Sequence, residues 1–313
     1  MNIDKIDFVV PVYNEEESLA LLFDRIKEAV ANLSNTGFRI IFIDDGSTDK
    51  SWTVIEDLKA KHEDHITAIK LKRNKGKAMA LSLGFKEATA PIVFTMDADL
   101  QDDPKEITKF LEKIEAGDDL VSGWKQKRND PIDKTLPSKV FNFILSTASG
   151  IKLHDFNCGF KCYRLEVVKD ISLYGELHRF TPVLASFYGY KIGEVSVEHH
   201  ARQFGHSKYG FERFAKGLVD LCSVVVFTRY SDRPAHLLGG SGLVSLFLGL
   251  AILSYLTVLK IFGEEIGHRP LLLLGILLVI FAIQLISIGI VSELIVRNSH
   301  YSVRDEDFVK KTI

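Results

Sequence analysis

At 313 residues, with 46% hydrophobic and 26% charged side chains, the chain can bury a sizeable core and hold one large domain plus something smaller. Its 39 Lys and Arg against 41 Asp and Glu leave a net charge of −2, which argues against nucleic acid as the main partner. Cys158, Cys162 and Cys222 are odd in number and lack paired C-x-x-C spacing, so neither a disulfide framework nor a zinc site is indicated.

Asp4, Lys5 and Asp7 interrupt the N-terminus, so no cleaved leader is expected. Ile6 to Val10 predicts a strand closing on Pro11-Val-Tyr-Asn-Glu15. Glu15 to Glu17 and Ser18 suit the start of a helix running to about Asn32, because acids favour the positive end of its dipole. Phe38 to Ile43 predicts a second strand, closing on the acidic turn Asp44 to Asp49, with a helix over Asp49 to His62. A third strand over Ile66 to Leu71 and a helix over Lys77 to Ala88 follow. The apolar run Pro91 to Met96 reads as a buried strand ending in Asp97-Ala98-Asp99-Leu100-Gln101. A helix from Lys105 to Ala116 and a strand from Asp119 to Gly123 continue the alternation.

Strands that each end in an acidic turn and lead into a helix describe an open α/β sheet whose ligand lies outside the strand carboxyl ends. Two carboxylates and an amide oxygen at 97 to 101 suit a hard divalent cation, Mg²⁺ or Mn²⁺, which takes few protein carboxylates and completes its shell with substrate phosphates. A dinucleotide-binding fold is excluded at the first turn. Tyr13-Asn14-Glu15-Glu16 has no glycine there, and its carboxylates would repel a pyrophosphate. No G-x-x-x-x-G-K-[ST] phosphate loop occurs.

Near residue 235 the composition changes. Leu237 to Leu259 carries no charge, and Leu271 to Val291 has only Gln284 and one serine, Ser287, as polar residues. Each is long enough to span a hydrocarbon core of about 30 Å. Arg229 and Arg233 before the first span, and Arg297 and Arg304 after the second, place both ends of this hairpin on the cytoplasmic side. Glu293 is expected at the interface or paired with a neighbour. Phe211 to Tyr230 sets Arg213 and Lys216 against Phe214, Leu218, Leu221 and Val225, the pattern of a helix lying in the membrane interface. Ile132 to Gly150 has a similar pattern, for which packing on the sheet is the commoner outcome.

PVYNEE at 11 to 16, DDGSTD at 44 to 49 and DADLQDDP at 97 to 104 resemble the family 2 glycosyltransferases, which have the GT-A fold. The Q-x-x-R-W signature of processive synthases is absent. Arg202-Gln-Phe-Gly-His-Ser207-Lys208-Tyr209 is instead similar to the R-x-x-G-x-S-K-Y segment of dolichol- and undecaprenyl-phosphate sugar synthases. The expected layout is a cytoplasmic GT-A domain over 1 to 210, a juxtamembrane link over 211 to 235, the two spans within 236 to 296, and a cytoplasmic tail over 297 to 313.

The resemblance implies roles for residues. Pro11, Tyr13, Glu15 and Asp44 would line the nucleoside pocket, where carboxylates accept from a base N–H and ribose hydroxyls. Asp45 either joins them or caps the Gly46-Ser47 turn. Arg73, with Asn74 and Gly76-Lys77, either steadies the donor diphosphate or forms a solvated basic stretch. Asp97, with Ala98, would orient the donor sugar or ribose, and Asp99 and Gln101 would ligate the metal. Arg202, Ser207 and Lys208 would hold an acceptor phosphate through charge-assisted bonds, joined by Lys125 and Arg128. His178 and Arg179 face the sugar, face the acceptor phosphate, or pack in the core.

The expected reaction is inverting, metal-dependent transfer of one hexose from a nucleotide sugar to a membrane polyprenyl phosphate. UDP-glucose is the favoured donor and GDP-mannose the runner-up. A lipid or glycan hydroxyl acceptor is the alternative within the class, with Asp102 or Asp155 as base. A non-catalytic membrane partner is the alternative outside it. The resemblance also allows a homotetramer.

Overall fold

The structure is a computed structural model describing residues 3–33, 36–126, 142, 145–147, 149–173, 175, 177–198, 200, 234–267 and 270–299, with side chains to 295 in the last segment. Arg128, Arg202, Ser207, Lys208 and the expected interface helix at 211 to 230 lie outside the described residues, as does most of the 132 to 150 segment.

β1 (Lys5–Val12) buries every residue from Ile6 to Val10, as a strand covered on both faces of a parallel sheet must. It pairs in parallel with β2 (Gly37–Asp44) on one side and β4 (Ile92–Thr95) on the other, and β3 (Ile66–Lys70) lies beyond β2. The full order is β3-β2-β1-β4-β6-β5-β7, where β5 is Leu120–Lys125, β6 Lys161–Arg164 and β7 Ile192–Val197. β6 is antiparallel to both neighbours and β7 is parallel to β5. Consequently β1, β2, β4 and β5 all end at one edge. The register Val12 opposite Asp44 aligns the first two acidic turns.

Helices α1 (Leu19–Ala31), α2 (Ser51–Lys61), α3 (Lys77–Glu87) and α4 (Ile107–Glu115) connect these strands, with two short helices, α5 (Leu165–Asp170) and α6 (Thr181–Phe187), later in the chain. Phe8 stacks on Phe94 at 5.4 Å, and Phe94, Phe110 and Phe160 join sheet to α4 in one aromatic cluster. Gly84 of α3 lets that helix press on β1: a Cβ there would lie 2.2 Å from Val9 Cγ1.

Two differences from the sequence reading bear on the site. The first helix begins at Leu19, not at the acids before it. The Glu15 amide donates to Ser51 Oγ at 2.8 Å and the Glu16 amide to Asp49 Oδ2 at 3.2 Å, so this stretch is held by the neighbouring turn rather than by its own helix. The antiparallel β6, four residues long, was not anticipated. It places residues 157 to 160 directly beside the end of β4.

Residues 1–224 and 225–313 form two units. In the second, α7 (Pro234–Ile261) and α8 (Pro270–Ser299) extend the expected spans at both ends. Glycines make the seam between them. A Cβ at Gly249 would lie 3.0 Å from the Gly275 carbonyl, and one at Gly242 would lie 2.8 Å from Ile286 Cγ1. Ser245 Oγ donates across the seam to the Leu278 carbonyl at 3.0 Å, and Glu293 accepts from the Ala235 amide at 3.3 Å. Only 17% and 11% of their most apolar windows are buried, unlike core helices of a soluble domain. Both are long and apolar enough to cross a bilayer.

Candidate active site

The strand-end turns are stitched together. Asn14, at φ 55°, accepts from the Thr48 amide at 2.8 Å while its own amide donates to Ser47 Oγ at 3.0 Å. Lys50 N donates to Glu16 Oε2 at 2.8 Å. These bonds bring the Pro11, Tyr13 and Glu15 segment against the Asp44 turn.

Asp44 and Asp45 do different things. Asp44 is fully buried; its Oδ1 accepts from the Ser47 amide at 2.8 Å, so it, not Asp45, caps the Gly46-Ser47 turn. Its Oδ2 has no hydrogen-bond donor among the described residues and lies 3.9 Å from Lys70 Nζ. Asp45 reaches the next turn, accepting from the amides of Lys75 at 2.6 Å and Gly76 at 2.8 Å. Burial raises the Asp45 carboxyl above its ordinary range, those two amides only partly offsetting it. Gly46, at φ +73°, allows this approach, since a Cβ there would sit 2.6 Å from the Arg73 backbone. Arg73 itself is exposed above that turn.

At the end of β4, Asp97 forms an ion pair with Lys77, the first residue of α3. Packing around Asp97 raises its carboxyl, but Lys77 overrides this, with Lys125 adding, and holds it down at about 2. Ala98 and Asp99 are buried, and Leu100 turns the chain at φ 61°, so that the Gln101 amide donates to Asp99 Oδ1 at 3.2 Å. Among the described residues no three His, Cys, Asp or Glu side chains form a metal cage. An oxygen-only pair such as Asp99 and Gln101 fits a hard cation whose remaining ligands are phosphate oxygens and water.

Lys125 does not stand free for an acceptor. Its ammonium lies 2.9 Å from Asp102, which is buried. Burial lowers Lys125, but Asp102 outweighs it and the lysine stays charged. His178 and the buried Arg179 sit on a short 3-10 turn, Leu177–Arg179. Burial, with the cations Lys77, Arg179 and Lys161, holds His178 well below the usual imidazole range, so it is neutral at physiological pH.

Two further residues lie close to Asp97. Gly159 lies so close to Asp97 that a Cβ would fall 2.7 Å from its Oδ2, and Thr95 Oγ donates to the Gly159 carbonyl at 2.8 Å. Lys161, on β6, is buried and donates to the Cys158 carbonyl; burial brings its ammonium down to about 8. Both lie in the segment DFNCGFK, Asp155 to Lys161.

The profile of the family described as glycosyl transferase family 2 matches residues 7–172. Over 314 positions the chain is 36% identical to the dodecaprenyl-phosphate galacturonate synthase of Rhizobium johnstonii, covering 99% of this chain and 93% of that protein. It is 33% identical to the undecaprenyl-phosphate 4-deoxy-4-formamido-L-arabinose transferase of Photorhabdus laumondii, covering 99% and 95%. Among solved structures, glucosyl-3-phosphoglycerate synthase from Mycobacterium tuberculosis superposes with a TM-score of 0.54 at 16% identity, over 72% of this chain and 79% of that one, a likeness of fold. With its three strand-end motifs on one edge of such a sheet, and relatives matching it from end to end, the chain belongs to glycosyl transferase family 2 and is a glycosyltransferase.

Proposed function

We propose that this enzyme transfers one sugar from a nucleoside diphosphate sugar to a membrane polyprenyl phosphate, with inversion at the anomeric carbon. The observation that carries the reading is the end-to-end similarity to two polyprenyl-phosphate sugar transferases, extending through the paired apolar helices. Those helices would anchor the enzyme, with the sheet domain on the cytoplasmic face as the flanking arginines suggest.

An acceptor phosphate oxygen attacks C1 of the donor sugar. The new bond is C1 to phosphate oxygen, the broken bond is C1 to the diphosphate oxygen, and the nucleoside diphosphate leaves. The nucleophile is already ionised at neutral pH and needs no general base. The hydroxyl-acceptor alternative does need one, and Asp102 is poorly suited to it because its charge is committed to Lys125.

The reaction does require relief of repulsion between anions, about 4 kcal/mol for two unit charges 4 Å apart at an effective dielectric of 20. Arg202, Lys208, Ser207 and Arg128 would neutralise and hold the acceptor phosphate. Pro11, Tyr13, Glu15 and Asp44 would hold the nucleoside. The unsatisfied Asp44 Oδ2 suits a base N–H or a ribose hydroxyl. Asp97 and Ala98 would set the donor sugar, and Asp99 and Gln101 would hold Mg²⁺ or Mn²⁺, which when bound neutralises the diphosphate. A structural neighbour described with Mn²⁺ and UDP-glucose supports a UDP-sugar and a divalent cation.

The test is incubation of detergent-purified enzyme with undecaprenyl phosphate, Mn²⁺ and labelled UDP-glucose, UDP-galacturonate and GDP-mannose. Label in a mild-acid-labile lipid is the expected result and names the donor. Donors that are bound or hydrolysed with no lipid product would overturn the acceptor assignment.

A further inference from the structure

We propose that Lys77 is a resident counter-ion, which pairs with Asp97 beside the metal-binding position and passes to the donor diphosphate when a divalent metal and donor enter. This rests on the metal-dependent reading above. The base of Lys77 is rigid. Asp45 clamps the amides of Lys75 and Gly76 immediately before it, and Lys77 itself opens α3. Its long side chain reaches Asp97 from there.

Asp97 is held from the other side. The backbone of Gly159 closes on its Oδ2, while Lys77 pairs with Oδ1. The Asp97 and Lys77 side chains keep 35% and 26% of their surface exposed, so an incoming ligand can reach both. The neighbouring cations cannot make this exchange. Lys125 is bound to Asp102, and Lys161 is buried on the Cys158 carbonyl.

With Asp99 two residues away, Asp97 and Lys77 set the local charge that a metal meets. A divalent cation arriving beside a lysine ammonium is repelled by it. A diphosphate arriving with the metal offers that ammonium a new anionic partner within reach of the same rigid base. Lys77 would then disfavour metal binding without nucleotide and favour metal and donor binding together.

The opposite signs of these two effects make the test. Full-length enzyme in detergent is titrated with Mn²⁺ alone, followed by the electron paramagnetic resonance signal of free Mn²⁺, and then with UDP at saturating Mn²⁺. Lys77→Met should bind Mn²⁺ alone about tenfold more tightly and UDP about tenfold more weakly, as expected for deleting one nearby charge. Lys77→Arg, which keeps the charge, should bind Mn²⁺ as wild type does. Lys72→Met, which removes an exposed charge in the preceding loop, should change neither. Unchanged or weaker Mn²⁺ binding by Lys77→Met, with the tryptophan emission and melting of wild type, would overturn the proposal. UDP binding that is the same with and without Mn²⁺, in wild type and in Lys77→Met, would instead overturn the metal-dependent reading on which it stands.

Discussion

At the amino end of the sheet, the buried Asp7 has each oxygen answered. Arg39 donates from Nε to Oδ1 at 2.9 Å and from Nη2 to Oδ2 at 2.7 Å, and the amides of Thr89 and Ala90 donate to Oδ2 at 2.7 and 3.0 Å. At the carboxyl end, among the described residues, the equally buried Asp44 has an oxygen with no hydrogen-bond donor and Lys70 only at 3.9 Å, Asp102 has one lysine and an Oδ2 with no donor, and Asp97 shares a partly exposed lysine. One strand layer thus carries two kinds of buried acid. A satisfied network specifies the fold, whereas an unsatisfied oxygen at the ligand edge is a cost that a bound substrate can offset.

The comparison breaks most sharply at Asp7. Asp7→Ala leaves Arg39 and two amides without their acceptor and should destabilise the sheet domain by about 3–5 kcal/mol. Trp52 and Trp124 are the chain's only tryptophans and both lie in that unit, so its denaturant midpoint can be read by their fluorescence. Asp99→Ala should do the reverse: a midpoint within about 0.5 kcal/mol of wild type, with sugar transfer reduced about 10²–10³-fold and EDTA reproducing the loss in wild type. A large shift in melting for Asp99→Ala would place that carboxylate with Asp7 rather than with the site.

Gly159→Ala sharpens the ligand end. Its Cβ must displace Asp97 or its own backbone, so we expect a rise in donor KM of about tenfold, about 1.4 kcal/mol, with acceptor KM unchanged. Equal changes in both constants would argue against Asp97 as a donor residue.

The smallest effect is in pH. Burial alone raises Asp7, but Arg39 and the Ala90 and Thr89 amides bring it below its model-peptide value of 3.8. Its stabilisation is therefore present above pH 3.8 and lost as pH falls towards its folded value. Asp45 has the opposite sign. Its carboxyl is raised, so its contribution is complete below pH 3.8 and declines as pH rises through its folded value. Asp7→Asn should flatten the acid limb of the melting profile, whereas Asp45→Asn should flatten the slope just above it.

Much of the ligand edge was readable because each of its parts is local. An apolar run followed at once by an acidic turn marks a strand end, whatever lies elsewhere, and Asp44, Asp97 and Asp99 each follow such a run. The two long apolar segments were equally plain, since length and the absence of charge are properties of a segment by itself. The pairings within the site were not readable. Lys77 with Asp97, Lys125 with Asp102, and Gly159 against Asp97 join residues on different elements, which come together only through the packing of α3 and the pairing of β4, β5 and β6. Four residues of β6 hold no periodicity from which an antiparallel strand between β4 and β5 can be inferred.

Sequence by itself therefore determined the order of elements through β5, the strand ends that carry acidic turns, the family, and the presence of two segments able to cross a bilayer. Only the tertiary structure decided which carboxylates are satisfied and which keep an open oxygen. Residue type sets what a side chain can bond to, but its partner depends on what the fold brings within about 3 Å.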